Sequence, residues 1–434
     1  MEIQKFLKLG NNGYPDVFRG SEKRRFGDKS LVDQYLSLGI YLKRTNFCYQ
    51  ILKFKTNCLS KLCYKLKTKK IKNKLSLLNS WKKKIICLGK KLTRVQNIKD
   101  TLENFVGNLV HSTCFFHEKE ILTRIGYLSF PKKKKNVFNP VLNHVELLKM
   151  IGGVDYKRGS SVSGNRGYFL KGPGLLLNLS LLRYGLDFLS KKNYISLQTP
   201  LFMNTDLLKK CTQLEDFKEQ LYPIGDNQEK FLIATSEQPI SAFHFGEKIT
   251  AKNLPLKYSG ISTCFRRESG SHGKDTAGIF RVHQFEKIEQ FILSHTKGLD
   301  SLILFEELLR NTREFYSSLK IPFSCIDIPS GAINHTAAKK TDLLGWFPAS
   351  RSFKELVSCS NCTDFQSRKM NIEIFGIQKK FSDKFPHMLN STLCATTRVI
   401  CCILENYQTR IGIKIPDILR SYTGITFFPF ENFI

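Results

Sequence analysis

A regular apolar stripe runs through the second half of the first hundred residues of this 434-residue chain. Between positions 78 and 109 an apolar residue recurs every three or four positions, with one irregular step: Leu78, Trp81, Ile85, Leu88, Leu92, Val95, Ile98, Leu102, Phe105 and Leu109. This spacing is typical of a coiled-coil seam, which needs a partner helix. Leu59, Leu62 and Leu66 continue it upstream, so we predict an antiparallel helical hairpin with its tip near residues 68–74.

The pattern changes after about residue 151. Short strand-like runs at 194–197, 231–234 and 279–282 alternate with glycine-bearing turns and with a helical stretch over 298–319. This order favours an α+β domain, an antiparallel sheet flanked by helices, over a doubly wound parallel sheet. We therefore predict a helical arm in residues 1–111, a connecting region in 112–150 and the α+β domain in 151–434.

Charge is unevenly distributed over a chain whose formal net charge is +31. Residues 51–100, in the predicted hairpin, contain sixteen basic residues and one acidic residue. A basic rod indicates a polyanionic partner, either nucleic acid or an acidic membrane surface, and a solvated lysine-rich helix pair without a ligand stays open. The apolar run at 175–182 is too short to span a membrane, so we expect no membrane insertion.

Two predicted strands carry the candidate chemistry. Alternation places charged and aromatic side chains on shared faces of these strands: Arg266 and Glu268 on the first, and Arg281, His283, Phe285, Lys287 and Glu289 on the second. Arginine suits a phosphate, a carboxylate can accept from an exocyclic amine, and a ring can stack on a base. A nucleotide site and a purely structural salt-bridge sheet are both compatible with this pattern.

Three motifs then occur in the order known from class II aminoacyl-tRNA synthetases. Phe-Arg-Arg-Glu at 265–268 resembles motif 2, Tyr-Ile-Ser-Leu-Gln-Thr-Pro at 194–200 resembles the dimer-interface motif 1, and Leu-Cys-Ala-Thr-Thr-Arg at 393–398 resembles motif 3. The surroundings of motif 2, the Thr-Ser-Glu at 235–237 and the segment 354–362 are similar to seryl-tRNA synthetases of the eukaryotic cytosolic type. This resemblance covers roughly residues 163–428.

The resemblance implies a homodimeric serine–tRNA ligase that uses ATP and Mg²⁺ to load L-serine onto tRNA(Ser). It implies these serine-binding residues: Thr235, Glu237, Arg266, Glu289, Asn390 and Thr392. It implies these ATP-binding residues: Arg266, Glu268, Arg281, Phe285, Glu355, Ser358 and Arg398. Arg266, Glu355 and Arg398 would carry the catalysis, with Glu355 and Ser358 at the Mg²⁺.

Individual roles follow from the same resemblance. Arg266 would hold the α-phosphate, Glu268 would read the adenine amine, and Phe285 would stack on the base. Arg281 and Arg398 would bind the β- and γ-phosphates. The helical arm would reach the long variable arm of the tRNA.

The resemblance leaves other questions open. They are the use of selenocysteine tRNA and the alternative of a non-catalytic, tRNA-binding paralogue. The opening of the chain also resembles the family close to Met1, so we expect a cytosol-type compartment.

Overall fold

The structure of the chain is a computed structural model that describes residues 14–65, 71–119, 124–129, 141–212, 220–268, 277–376 and 384–431. It divides into two compact units, Met1–Leu109 and Val110–Ile434. The division into an arm, a connecting region and an α+β domain stays a prediction, but the described parts of residues 112–150 belong to the second unit.

The described residues of the first unit form three helices, α1 (Pro15–Arg24), α2 (Ser30–Lys65) and α3 (Ile71–Phe105). The helices α2 and α3 pack antiparallel. The Lys99 ammonium lies 4.4 Å from the ring centre of Tyr35, and the Lys91 ammonium lies 5.4 Å from that of Tyr41. The predicted helical hairpin is therefore confirmed. Of its predicted tip, residues 71–74 belong to α3, and 68–70 lie outside the described residues.

The seam of α3 differs from the prediction near its C-terminal end. Ile98 is 45% exposed, whereas Lys99 is 7% exposed and Val106 is completely buried. The seam thus continues from Val95 through Lys99, Leu102 and Val106, in steps of 4, 3 and 4, and the irregular step disappears. A lysine can hold this position because its alkyl stem is apolar and its ammonium faces an aromatic ring.

The second unit combines nine helices with seventeen strands within the described residues. Its helices are α4 (His144–Met150), α5 (Tyr156–Ser163), α6 (Gly172–Ser190), α7 (Thr205–Cys211), α8 (Glu237–Ser241), α9 (Asp300–Ser318), α10 (Phe365–Lys369), α11 (Thr396–Tyr407) and α12 (Arg420–Thr423). Its strands are β1 (Arg124–Ser129), β2 (Val154–Asp155), β3 (Phe169–Leu170), β4 (Ile195–Gln198), β5 (Phe202–Asn204), β6 (Pro223–Ile224), β7 (Lys230–Leu232), β8 (Lys248–Thr250), β9 (Leu256–Phe265), β10 (Gln284–Ser294), β11 (Phe323–Asp327), β12 (Lys339–Phe347), β13 (Ser352–Asn361), β14 (Glu373–Phe375), β15 (His387–Ala395), β16 (Gly412–Lys414) and β17 (Phe427–Pro429).

Eight of these strands form the main sheet, in the order β1-β11-β12-β13-β15-β10-β9-β4. All neighbours are antiparallel except β4 and β9, which are parallel. The predicted α+β class on a largely antiparallel sheet is confirmed. The strand β1, from the predicted connecting region, is an edge of this sheet.

Both faces of the sheet are covered. On β10, Ile288 and Ile292 belong to the large core, to which α6, α9 and α11 also contribute. Phe291 and Leu293 of the same strand belong to a second core, which contains residues of α7 and α8. This is the alternation expected of a strand with two buried faces. Within the described residues, no helix is long and apolar enough to cross a membrane.

One predicted strand is wrong. Residues 279–282 form a turn, and the strand starts only at Gln284. The run is apolar because Ile279, Phe280 and Val282 insert into the large core from a loop. Gly278 before it has a φ of +84°, which favours glycine and turns the chain out of the sheet.

Candidate active site

A pocket lies where β9 ends and β10 begins. Its lining includes eight of the twelve predicted site residues, namely Arg266, Glu268, Arg281, Phe285, Glu355, Ser358, Thr392 and Arg398. Arg266 and Glu268 follow the end of β9 and Arg281 precedes β10, so turns rather than strand alternation bring these three side chains together. The loop between them, residues 269–276, lies outside the described residues.

Backbone pairing continues for one step beyond the regular strands and fixes this turn. The Arg266 amide donates to the His283 carbonyl oxygen at 2.9 Å. His283 Nδ1 lies 2.9 Å from the Arg266 carbonyl oxygen and 3.0 Å from the Tyr222 hydroxyl. These contacts give His283 a structural place beside the pocket.

Cations and carboxylates alternate around one end of the pocket. The Arg266 guanidinium lies 5.3 Å from the ring centre of Phe285, and Arg281 Nε lies 3.5 Å from Glu268 Oε2. Arg398 Nη1 lies 3.5 Å from Glu355 Oε1 and donates to the Glu355 carbonyl oxygen at 3.1 Å. Three arginines against two carboxylates leave a positive charge at this end of the pocket, which suits phosphates.

The remaining four predicted residues form a hydrogen-bonded cluster beside this pocket. Thr235 Oγ1 donates to Glu289 Oε1 at 2.8 Å, and Asn390 Nδ2 donates to Glu237 Oε1 at 2.9 Å. Thr392 lies opposite Glu289 across the pairing of β10 with β15 and also lines the pocket. The predicted serine and ATP residues therefore occupy two adjoining compartments.

The Thr-Ser-Glu segment at 235–237 is positioned by its close packing on the main sheet. Gly260 pairs with Glu289, and a Cβ added to Gly260 would lie 2.2 Å from Ile240 Cδ1 and 3.3 Å from Ser236 Cβ. The missing side chain lets α8 and the residues before it pack directly on β9. Ser236 Oγ can then donate to Glu289 Oε2 at 3.3 Å.

Lys287 is a further side chain in this region, and neither its position in the sequence nor the family resemblance predicts a role for it. It is buried, lines the pocket, forms an ion pair with Glu289 and donates to Thr235 Oγ1 at 3.0 Å. It thus connects the two compartments. Its alternation with Phe285 and Glu289 on β10 was the only signal in the sequence, and a lysine on a sheet face is usually structural.

Glu237 has a raised pKa. Loss of hydration, followed by the negative charge of Glu289, raises the pKa of Glu237 to about 7. Lys287 and Arg266 act in the opposite direction. A further cation near Glu237 would stabilise its ionised form, so the cluster is matched to a positively charged ligand.

Oxygen ligands for a metal ion are available at Glu355 and Ser358. Partial loss of hydration raises the pKa of Glu355, but nearby cations, Arg398 first, outweigh this effect and hold the pKa below its usual value. Asp342 lies opposite Ser358 on the neighbouring strand β12 and is buried, and this burial raises its pKa to about 6. In the described parts of the chain, no three His, Cys, Asp or Glu side chains come together as a metal site.

Comparisons with known proteins agree with this geometry. Residues 218–407 match the family described as the tRNA synthetase class II core domain (G, H, P, S and T). The cytoplasmic serine–tRNA ligase of Arabidopsis thaliana is 44% identical over 430 residues, which cover 97% of this chain and 94% of that protein.

Two solved structures are similar over nearly the whole chain. The cytoplasmic serine–tRNA ligase of Naegleria fowleri in complex with AMP has a TM-score of 0.84 and 39% identity, with 99% of both chains covered. The seryl-tRNA synthetase of Pyrococcus horikoshii complexed with ATP has a TM-score of 0.83 and 31% identity, covering 96% of this chain and 98% of that one.

Fold, site and core-domain match together define a class II aminoacyl-tRNA synthetase. Within that class, the chain belongs to the serine–tRNA ligase family, because relatives and solved structures of that family match it at 31–44% identity over almost its full length. The family resemblance noted in the sequence is therefore confirmed.

Proposed function

We propose that this protein activates L-serine with ATP, releases pyrophosphate, and transfers serine from the adenylate to the 3′ end of tRNA(Ser). The observation that carries the proposal is the junction of two compartments at Lys287 and Thr392. One compartment is lined by Arg266, Arg281 and Arg398, and the other contains Glu237 and Glu289.

The first step needs positioning and charge neutralisation more than a protein nucleophile. The serine carboxylate attacks the α-phosphorus in line, and the bond from that phosphorus to the pyrophosphate oxygen breaks. Arg266 neutralises charge at the α-phosphate, while Arg281 and Arg398 hold the leaving pyrophosphate. Cations that are in place once ATP is bound stabilise the transition state because they need no further reorganisation during the reaction.

Selectivity for serine would come from the second compartment. Glu237 and Glu289 attract the substrate ammonium, and Thr392 and Glu289 offer hydrogen bonds to the hydroxyl group. A pocket built to bond a hydroxyl rejects the analogue that lacks it by roughly 10⁴-fold or more. Alanine should therefore be a very poor substrate.

Magnesium fits the available oxygens. Glu355 and Ser358 would hold Mg²⁺, because Mg²⁺ usually takes only one or two protein ligands. Bound there, it would neutralise phosphate charge. The lowered pKa of Glu355 supports this role, because only the ionised carboxylate is a good ligand.

The first unit would bind the tRNA. Between Gln34 and Lys65 the helix α2 contains six basic residues and no acidic residue, and α3 adds exposed lysines such as Lys82 and Lys90. Contacts of such a rod with RNA would read the backbone and shape rather than base edges. The proposal leaves selenocysteine tRNA as a second substrate to be tested in the same charging assay.

A homodimer is supported by the edge of the main sheet at β4. Ile195 on this strand is 57% exposed, and Leu201 and Phe202 just after it are also exposed, so the edge has an apolar surface. The proposal predicts a native mass of twice the 50.0 kDa chain in light scattering, and a lower mass for Ile195→Glu. The location of the protein in the cytoplasm is proposed because similar serine–tRNA ligases are named as cytoplasmic.

Serine-dependent exchange of pyrophosphate into ATP, measured without tRNA, tests the activation step. Threonine, alanine and cysteine are the controls. Exchange with serine alone would support both the reaction and the pocket. A folded protein that exchanges with none of the four would contradict the proposal and favour a non-catalytic tRNA-binding paralogue.

A further inference from the structure

Arg166 has an unusual backbone conformation close to the pocket. It lies in the turn between α5 and β3 and has a φ of +63°, a left-handed value that is uncommon for residues other than glycine, asparagine and aspartate. A glycine at this position would adopt the same φ without strain. Residues in such strained conformations cluster at functional sites, so the contacts of the Arg166 side chain can indicate a functional role.

Close packing holds the turn in place. A Cβ added to Gly167 would lie 2.4 Å from the Gly159 carbonyl oxygen, and one added to Gly159 would lie 2.3 Å from Tyr168 Cα. The Tyr168 hydroxyl also donates to the carbonyl oxygen of Gln284, the first residue of β10, at 3.0 Å. The turn is therefore fastened both to α5 and to the strand that forms the pocket wall.

The Arg166 side chain ends at Glu268. Its Nη1 donates to the Glu268 carbonyl oxygen at 3.1 Å and lies 3.9 Å from Glu268 Oε2. Glu268 Oε2 also lies 3.5 Å from Arg281 Nε. The two arginines differ in exposure, because the Arg166 side chain is 4% exposed and that of Arg281 is 43% exposed.

We propose that Arg166 is a positioning residue that holds Glu268 in place to accept the adenine 6-amino group. It remains the counter-charge of Glu268 when ATP draws Arg281 to the triphosphate. This inference rests on the proposed function, in which Glu268 contacts adenine and Arg281 contacts phosphate.

Exposure and geometry assign these different tasks to the two arginines. An exposed guanidinium can turn toward an incoming phosphate, whereas a buried one in a fastened turn stays where it is. Contact with both the backbone and the side chain of Glu268 fixes the position of the carboxylate more tightly than one ion pair would.

Discrimination between ATP and purine riboside triphosphate, which lacks the 6-amino group, tests the inference. Serine-dependent exchange and direct nucleotide binding would be measured for the wild type, Arg166→Met, Arg166→Lys and Glu268→Gln. We expect the ratio of kcat/KM for ATP to that for the analogue to fall about tenfold or more in Arg166→Met and Glu268→Gln. Arg166→Lys should give an intermediate ratio, because it keeps the charge but not the forked donor.

Arg158→Met is the matched control. Arg158 lies on α5, its side chain is 83% exposed, and it pairs with Asp155 rather than with the pocket. An equal loss with both nucleotides in Arg166→Met, or no loss, would overturn the inference, since only a positioning role acts through the 6-amino group. If Arg166→Met does not fold, Arg166→Lys decides by the same ratio. Failure of this inference can be distinguished from failure of the proposed function. If serine caused no exchange, direct binding would still show whether the protein prefers ATP to purine riboside triphosphate and whether Arg166→Met loses that preference.

Discussion

The ammonium of Lys287 donates a hydrogen bond to Thr235 Oγ1 at 3.0 Å, in the compartment that the serine ammonium would enter. Lys287 also pairs with Glu289, so it supplies a positive charge between Glu289 and the phosphate-binding arginines. The buried carboxyl groups of Glu237 and Glu289 repel each other when both are ionised, so their ionisation depends on such cations. The pH dependence of serine activation should therefore depend on this cluster.

Serine activation should weaken as the pH falls below about 7. The pKa of Glu237 is raised to about 7, so at lower pH the free enzyme carries a neutral Glu237 that attracts the substrate ammonium less. We expect kcat/KM for serine, measured by pyrophosphate exchange at saturating ATP, to fall up to tenfold per pH unit below pH 7. Glu237→Gln should be slow and lack this limb. An unchanged limb in Glu237→Gln would assign it to another group.

Removing Lys287 should move this profile to higher pH. Lys287 is one of the cations that lower the pKa of Glu237, so Lys287→Met should raise that pKa further and decrease kcat/KM for serine at pH 7. Lys354→Met is the control, because the Lys354 ammonium lies 5.1 Å from the ring of Phe280 on the ATP side. An identical midpoint in Lys287→Met and wild type would show that Lys287 does not act on Glu237.

Arg266→Ala should reduce serine-dependent exchange by about 10²- to 10³-fold or more, because a preorganised charge at the reacting phosphate is lost. Arg267→Ala is the neighbouring control. Arg267 is exposed, and its backbone amide donates to the Gln220 carbonyl oxygen, a hydrogen bond that the substitution keeps. Exchange at wild-type rate in Arg266→Ala would remove Arg266 from the catalytic step.

Particular residues show how far the sequence could predict this structure. The apolar spacing correctly predicted two long antiparallel helices, because a seam repeats the same contact over many turns. It misplaced the seam at Ile98, since nothing in the spacing says that Lys99 can be buried against Tyr35. A local pattern cannot identify a partner that lies 64 positions away in the chain.

The predicted site residues lie close together for a different reason, and their roles stay predictions. Family motifs specify residue types, and all twelve predicted side chains lie in or beside one pocket. The motifs do not specify how the chain brings the side chains there. The apolar run at 279–282 predicts a strand, but it is a loop inserted into the core. Arg166, about one hundred residues before Glu268, had no local signal at all.

The basic first unit leads to a prediction that separates tRNA binding from chemistry. Lys82, Lys83, Lys84 and Lys90 are exposed on α3. Changing all four to glutamine should raise KM for tRNA in serine charging and leave exchange without tRNA unchanged, because the adenylate forms in the other unit. Each lost phosphate contact should also reduce the slope of log affinity against log salt by about 0.7–0.9.

A control of equal charge distinguishes this effect from general electrostatic attraction. Lys191, Lys252, Lys297 and Lys414 are exposed in the second unit, and changing them to glutamine lowers the net charge by the same amount. If long-range attraction were the whole effect, both sets would weaken charging and flatten its salt dependence alike. Direct contact predicts a large change in the α3 set alone, since exposed charges more than a Debye length of roughly 10 Å apart are largely screened at 0.1 M salt.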